Sequence, residues 1–255
     1  MPMFKLIMFS GAAAMALLAC SPASAPAKPA NTAQPEAAIT PAAAPAAPAA
    51  GQATNSAVPP PSAKRLYLRR TCIACHGRDG AHAIQQYPDL AGLDAGYIRA
   101  QVKDILSKKR QGSPDKLTGH PRAESMRGAL VTPDGQMRVT DDEIKIIAAW
   151  LAGLPSAGPQ VHDPALAPER IAEGKAVFNK FNCRTCHGVD GKKPLRGYPK
   201  VAGQKADYIA EQIRDIRDGA RTNSRSRLMT PFAKRLSDEQ INAVADYLSQ
   251  VNPNP

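Results

Sequence analysis

Hydrophobic positions along the chain fall into three regimes. Leu6 to Ala19 is an apolar run of fourteen residues behind a short basic start, Met1 to Lys5. Ser21 to Ala63 consists almost entirely of Ala, Pro, Ser, Thr, Asn and Gln, with few residues able to build a core. Beyond it, apolar residues return at helical spacing. Residues 169–182 place Ile171, Gly174, Val177, Phe178 and Phe181 on one side of a helix. Residues 97–106 do the same with Tyr97, Ile98, Gln101, Val102, Ile105 and Leu106, and a third helix carries Tyr208, Ile209, Gln212, Ile213 and Ile216. Two more open on capping-box patterns, Thr140-x-x-Glu143 and Ser237-x-x-Gln240. Apolar stripes follow them, Ile144, Ile147, Ala148 and Leu151 in one and Ile241, Val244, Ala245 and Leu248 in the other. No segment alternates with the period of a strand, so the expected fold class is all-α.

These helices belong to an internal repeat. At an offset of 111, Tyr67 matches Phe178, Tyr87-Pro88 matches Tyr198-Pro199, Ala91-Gly92 matches Ala202-Gly203, and Gln101 matches Gln212. The offset falls to 103 where Met126 meets Met229, and to 97 where Thr140-Asp141 meets Ser237-Asp238. The first lobe therefore carries eight and then six extra residues, polar or basic, expected to form surface loops. Each lobe has roughly 80–90 residues, a size at which a thin core benefits from a covalently held group.

The amino-terminal apolar run fits a secretory h-region and is shorter than the roughly 20 residues that span a bilayer. It ends in Leu17-Leu18-Ala19-Cys20, which resembles the lipobox of bacterial lipoproteins. That resemblance implies cleavage before Cys20 and its acylation, with ordinary cleavage near Ala23 or Ala25, or an uncleaved anchor, as the competing readings. The Ala/Pro-rich stretch is expected to be a disordered tether, reaching about 35 Å as a flexible coil and about 130 Å as extended polyproline. The expected boundaries are 1–19 signal peptide, 20–63 lipidated cysteine and linker, 64–154 first lobe, 155–168 connection, and 169–255 second lobe.

The repeat also duplicates a chemical motif. Cys72-Ile-Ala-Cys75-His76 and Cys183-Arg-Thr-Cys186-His187 each read as a site of c-type haem attachment, two thioethers to the vinyl groups and a histidine to the iron. Zinc would require four cysteines to converge from pairs more than a hundred residues apart. A redox dithiol needs no histidine directly after the pair and usually sits in a βαβ context.

Further along each lobe come Tyr-Pro-x-(Leu/Val)-Ala-Gly, a Tyr-Ile-x-x-Gln helix, a methionine and a final aromatic helix. That order resembles class I cytochrome c and, duplicated, the dihaem cytochrome c4 family, over about residues 64–252. The resemblance implies two tandem class I lobes, two covalently bound haem c groups, and first and last helices that cross near Trp150 or Tyr247. It makes Met229 the axial ligand opposite His187. In the first lobe Met126 aligns best opposite His76. His120 would instead give bis-histidine ligation, and Met137 lies only three residues before Thr140, leaving little chain to reach an iron. Pro88 and Pro199 look like the family prolines whose carbonyls accept a proton from the proximal histidine, with a plain turn as the alternative. Tyr97 and Tyr208 either approach haem propionates or pack a helix face. His82 and His162 are expected to be solvated.

The formal charge of +11 is shared evenly: residues 64–154 hold fifteen Lys/Arg against ten Asp/Glu, and 163–255 sixteen against eleven. No basic helix interleaved with stacking aromatics suggests nucleic acid. Positive charge around a haem edge suits docking of acidic redox partners, and Lys108-Lys109-Arg110 and Arg221 to Arg227 read equally as candidate docking surfaces or ordinary solvated loops, with attraction to anionic lipid headgroups as a third reading. The resemblance implies a monomeric, lipid-anchored periplasmic electron carrier without a catalytic residue. It would run between a quinol-oxidising complex or dehydrogenase and a terminal oxidase or reductase. Two other classes stay open, a dihaem enzyme (peroxidase-like or thiosulfate-oxidising) and the haem subunit of a dehydrogenase complex.

Overall fold

A computed structural model describes residues 62–115 and 118–254. The amino-terminal apolar run, Cys20 and all but the last two residues of the Ala/Pro-rich tether lie outside the described residues. Ser62 and Ala63, which the sequence reading assigned to the tether, already belong to a helix. Ser62 Oγ caps α1 (Ala63–Arg69) by accepting from the N–H of Arg65 at 3.3 Å.

The first lobe continues with the single turn α2 (Ile73–His76), then α3 (Ala95–Leu106), α4 (Arg122–Leu130) and α5 (Asp141–Ala152). The second lobe repeats the order as α6 (Pro168–Lys180), α7 (Arg184–His187), α8 (Ala206–Arg217), α9 (Ser226–Ala233) and α10 (Asp238–Gln250). Among the described residues there is no strand, only the isolated bridges Pro114 to Pro121 and Val131 to Met137. No described helix is long and apolar enough to cross a membrane.

Each lobe is closed by its first helix crossing its last. Tyr67 meets Trp150 with ring centroids 5.1 Å apart, and Phe178 meets Tyr247 at 6.0 Å, tilted arrangements that aromatic quadrupoles favour. The second lobe has one continuous core built from α6, α8 and α10, with Phe178, Ile216, Ile241 and Val244 all but sealed from solvent. The first lobe's core is split into one cluster around Tyr67, Ile147 and Leu151 and a smaller one of Leu130, Val139 and Ile144. α1 has seven residues where α6 has thirteen, so the first lobe has less helix with which to cover its haem-side core.

Both capping boxes form, Thr140 with Glu143 and Ser237 with Gln240. Glu143 has a second duty, accepting from the Arg70 guanidinium at 2.5 Å and so tying α1 to α5. Partial burial pushes the Glu143 carboxyl up, but the hydrogen bonds from Arg70 and from the Thr140 N–H outweigh it and hold its pKa below the usual value. Its stabilisation is therefore complete above the unfolded value of about 4.3 and is lost as pH falls through the lower folded one. Glu143→Ala should cost about 1–2 kcal/mol at pH 7. Urea unfolding of the pair of proteins checks this, and a stability gap that fails to shrink near pH 3 would contradict it.

One insertion departs from the expected surface loop. Residues 111–113 lie on the second lobe, where the Gly112 N–H donates to Ala220 O at 3.2 Å and the Ser113 N–H to Asp215 Oδ1 at 3.1 Å, and Arg122 pairs with Glu211. Backbone N–H groups of the insertion meet a carbonyl and the buried Asp215 carboxylate across a lobe boundary, which composition alone does not distinguish from solvation. The other insertion is a surface turn, Thr132 N–H to Gln136 O at 2.9 Å, with Met137 54 % exposed. The connection between lobes is likewise fastened: the Gln160 N–H donates to Ser249 O and its side chain to Gly203 O, each at 2.8 Å. His162, expected to be solvated, is half-buried with a ring nitrogen 3.0 Å from the Ser249 hydroxyl, whereas His82 is exposed as anticipated.

Candidate functional site

Each Cys-x-x-Cys-His motif winds into a single helical turn, which puts the two thiols three residues apart on one face and the histidine beside them. Left-handed residues frame both turns. Thr71 (φ 57°) and Asn182 (φ 56°) precede them, and Gly77 (φ 74°) and Gly188 (φ 76°) follow. Only glycine fits the following position. A Cβ on Gly77 would stand 2.3 Å from His82 O, and one on Gly188 would stand 2.1 Å from Lys193 O. None of the four motif cysteines is in a disulfide, so all four are available for thioether bonds, and burial pushes the Cys72 and Cys183 thiols up to about 11.

Both histidines are buried, His76 6 % and His187 7 % exposed. The Nδ1 of His76 lies 2.9 Å from Pro88 O, and that of His187 2.9 Å from Pro199 O. A carbonyl only accepts, so Nδ1 carries the proton and the Nε2 lone pair is left for a ligand. Burial lowers the pKa of both rings, more than the carbonyl bond raises it, which keeps the imidazoles neutral as metal ligation requires. The Pro88 carbonyl is steadied from the other lobe. Gln204 accepts from the Asp89 N–H at 3.0 Å and donates to Asp89 O at 2.9 Å. Tyr87 and Tyr198 stand edge-on to the two imidazoles at 6.2 and 6.4 Å.

A continuous cavity of about 2260 Å³ joins the two sites. All four motif cysteines and both histidines line it, together with Met126 on α4 and Met229 on α9. His120 and Met137, the other candidates for the first lobe, are exposed and are not among its lining residues. Its walls are apolar: Ile98, Val102 and Ile105 in one lobe, Ile209, Ile213 and Ile216 in the other.

The seam between the halves is polar and two-fold repeated. Arg110 on the first lobe donates to Tyr208 Oη at 2.8 Å, to Gln212 at 3.0 Å and to Gln101 at 3.0 Å. Arg221 on the second lobe reaches back to Gln101 at 2.9 Å, to Gln212 at 2.6 Å and to Tyr97 Oη at 3.4 Å. Burial alone would raise the Tyr97 phenol, but Arg221 and Arg110 overcome that and pull it below its ordinary value, a sign of how positive the seam is. Arg110 and Arg221 belong to the two basic runs expected at the surface, but both are held at the seam by hydrogen bonds to the opposite lobe. They are separated by the same 111 residues as the haem motifs, so the repeat itself pointed to them as a pair.

These residues fit haem. Apolar slots suit the porphyrin faces, paired thiols the vinyl groups, a neutral histidine with a free Nε2 the iron, and the buried guanidinium groups of the seam the propionates. Among the described residues no three His, Cys, Asp or Glu side chains converge as a metal-binding group, so the cysteine pairs do not assemble the four-thiolate set that zinc would need.

Comparison with known proteins agrees with this geometry. Residues 62–155 match the family model for cytochrome c, and residues 169–248 match that for cytochrome c oxidase, cbb3-type, subunit III. Cytochrome c4 of Azotobacter vinelandii is 33 % identical over 183 residues, 69 % of this chain and 82 % of that protein. The thiosulfate dehydrogenase electron acceptor of Stutzerimonas stutzeri is 31 % identical over 71 % of this chain and 78 % of its own length. In three dimensions, reduced recombinant cytochrome c4 from Pseudomonas stutzeri superposes with a TM-score of 0.57 at 28 % identity, over 73 % of this chain and 96 % of that one.

Proposed function

The chain belongs to the cytochrome c4 family of dihaem cytochromes c, and on that premise we propose that it relays single electrons through two six-coordinate haems to protein partners. Each covalently bound haem supplies a one-electron ferric/ferrous couple. The rest is the work of the chain. Cys72 and Cys75, and Cys183 and Cys186, hold the two groups by thioether bonds. His76 and His187 present Nε2, oriented by the carbonyls of Pro88 and Pro199. Met126 and Met229, which line the same cavity, would supply thioether ligands that raise the potential of the bound groups and keep substrates off the iron. Arg110 and Arg221, with Tyr97 and Tyr208 beside them, would meet the propionates of the bound groups, and Gln101 and Gln212 lock the guanidinium groups in place.

The observation that carries this reading is that a buried histidine and a methionine from each lobe, His76 with Met126 and His187 with Met229, line the same cavity. The donor is read as a quinol-oxidising complex or a dehydrogenase, and the acceptor as a terminal oxidase or reductase. The similarity to a thiosulfate dehydrogenase electron acceptor supports the dehydrogenase class of donor. The h-region, Cys20 and the Ala/Pro-rich stretch support a lipid-anchored periplasmic protein, its monomeric redox head on a tether.

Optical and low-temperature EPR spectra of the ferric holoprotein, then carbon monoxide added to the reduced form, test the reading. Two low-spin haems and no carbon monoxide adduct are expected. A high-spin haem, or one that takes carbon monoxide, would move that lobe to catalysis.

A further inference from the structure

The two lobes share one scaffold but expose different surfaces where the cavity opens. α4 and α9 each carry the proposed methionine ligand, Met126 and Met229, and residues of both helices line the cavity. At the offset of 103, Ser125 corresponds to Leu228 and Ala129 to Phe232. Leu228 is 56 % and Phe232 40 % exposed although both line the cavity, so they form its mouth. Leu195, 57 % exposed, does not line the cavity but lies beside it: its N–H bonds Cys186 O at 3.0 Å, and the next residue, Arg196, accepts at its carbonyl from Arg225 at 2.9 Å. The first-lobe counterpart of Leu195, Ile84, is similarly exposed, so the contrast rests on α4 and α9.

Charge divides the lobes in the same way. Arg225, Arg227, Lys234 and Arg235 surround the apolar group, all exposed, and no acid occurs between residues 225 and 235. Among the described residues none of the four has a carboxylate partner. The Arg225 guanidinium lies over the Tyr198 ring at 5.0 Å and that of Arg235 over the Phe181 ring at 5.3 Å, so both are paired with aromatic faces rather than with carboxylates. The matching stretch of the first lobe is neutralised: Arg122 pairs with Glu211, and Arg127 with Glu124 at 3.3 Å. Where the first lobe has Glu124, the second has Arg227.

We propose that the mouth of the second lobe, Leu195, Leu228 and Phe232 ringed by Arg225, Arg227 and Lys234, is the docking port for a redox protein whose own electron-exchange face is an apolar centre rimmed by Asp and Glu. An apolar centre excludes water over the exchange point, while a charged rim steers and orients encounter. The first lobe offers the same helix without either element, so electrons exchange with such a partner through the second lobe. This rests on the carrier reading and adds direction to it.

The acidic soluble domain of cytochrome b5 is a suitable probe. Carbodiimide joins lysine to carboxylate, so peptide mapping of the cross-linked full-length holoprotein locates the contact. Cross-links at Lys234 are expected, with few at Lys108 or Lys109. Replacing Leu228→Ser and Phe232→Ala, the first-lobe residues at those positions, together with Arg227→Glu, should weaken binding of the probe about tenfold or more by calorimetry. Lys108→Glu with Lys109→Glu should change it less than about twofold. Binding should also weaken as ionic strength rises past about 0.1 M. Cross-links gathered on the first lobe, equal losses from the two variant sets, or no salt-sensitive binding at all would overturn the port. The spectra of the same samples separate the two readings: a misplaced contact with both haems low-spin defeats the port alone, whereas a carbon monoxide-binding haem defeats the carrier.

Discussion

Met229→Ala is expected to leave both haems attached and to open the second one to carbon monoxide. Attachment depends on Cys183, Cys186 and His187, none of which the substitution touches. The half-buried Met229 side chain packs against the second-lobe core and lines the cavity, and alanine is too short to reach an iron from α9. With the thioether gone, ferric iron turns high-spin or takes water, and its potential should fall on the order of 0.2 V, a modest share of the roughly 0.8 V that axial ligation spans. Met126→Ala should do the same to the first haem and leave the second untouched. The controls come from the residues that competed for this role. His120→Ala and Met137→Ala should alter neither spectrum, since both side chains are exposed and neither lines the cavity. Spectra and redox titrations of the four variants decide the matter, and a first haem that stays low-spin in Met126→Ala would show that its sixth ligand lies elsewhere.

The helices with a continuous apolar stripe were legible within a residue or two: 97–106 against Ala95–Leu106, and 169–182 against Pro168–Lys180. Both capping boxes form because Thr140 and Ser237 are followed at the third position by a side chain that reaches back. α4 and α9 left a weaker trace. α9 contains Pro231, and α4 mixes Arg, Glu, Ser and Gly with only a shallow apolar side. Both are also held by packing on a neighbour, α4 on α3 and α9 on α8, a tertiary effect that a local pattern does not carry. At the site, the haem motifs and the prolines 12 residues beyond each histidine were readable because they are local and repeated. The seam was not. Arg110 and Arg221 sit in basic runs whose solvated appearance concealed that one member of each turns inward. What makes them interior is the opposite lobe, and only a residue-by-residue use of the repeat would have paired them.

The same substitution at two glycines should move stability in opposite directions. Gly174 lies where α6 crosses α10, and a Cβ there would stand 2.0 Å from Ala243 O and 2.5 Å from the Tyr247 Cβ. The obstructing oxygen is helix backbone and cannot rotate away, so Gly174→Ala must push the helices apart. Separation loosens the Phe178–Tyr247 contact and the hydrogen bond from Tyr247 Oη to Asp190 Oδ1 at 2.5 Å, which ties α10 to the segment just after His187. Overpacking of this kind costs about 3 kcal/mol. Gly128 is also inside a helix, α4, but a Cβ there meets nothing within 4 Å. Gly128→Ala should therefore gain about 0.5–1 kcal/mol, because alanine loses less backbone entropy on entering a helix and encounters no neighbour. Denaturant unfolding of the two holoproteins beside the parent measures both. A Gly174→Ala protein as stable as the parent would mean that α6 crosses α10 more loosely than the structure shows, and a loss at Gly128 would mean that α4 is not open at that position.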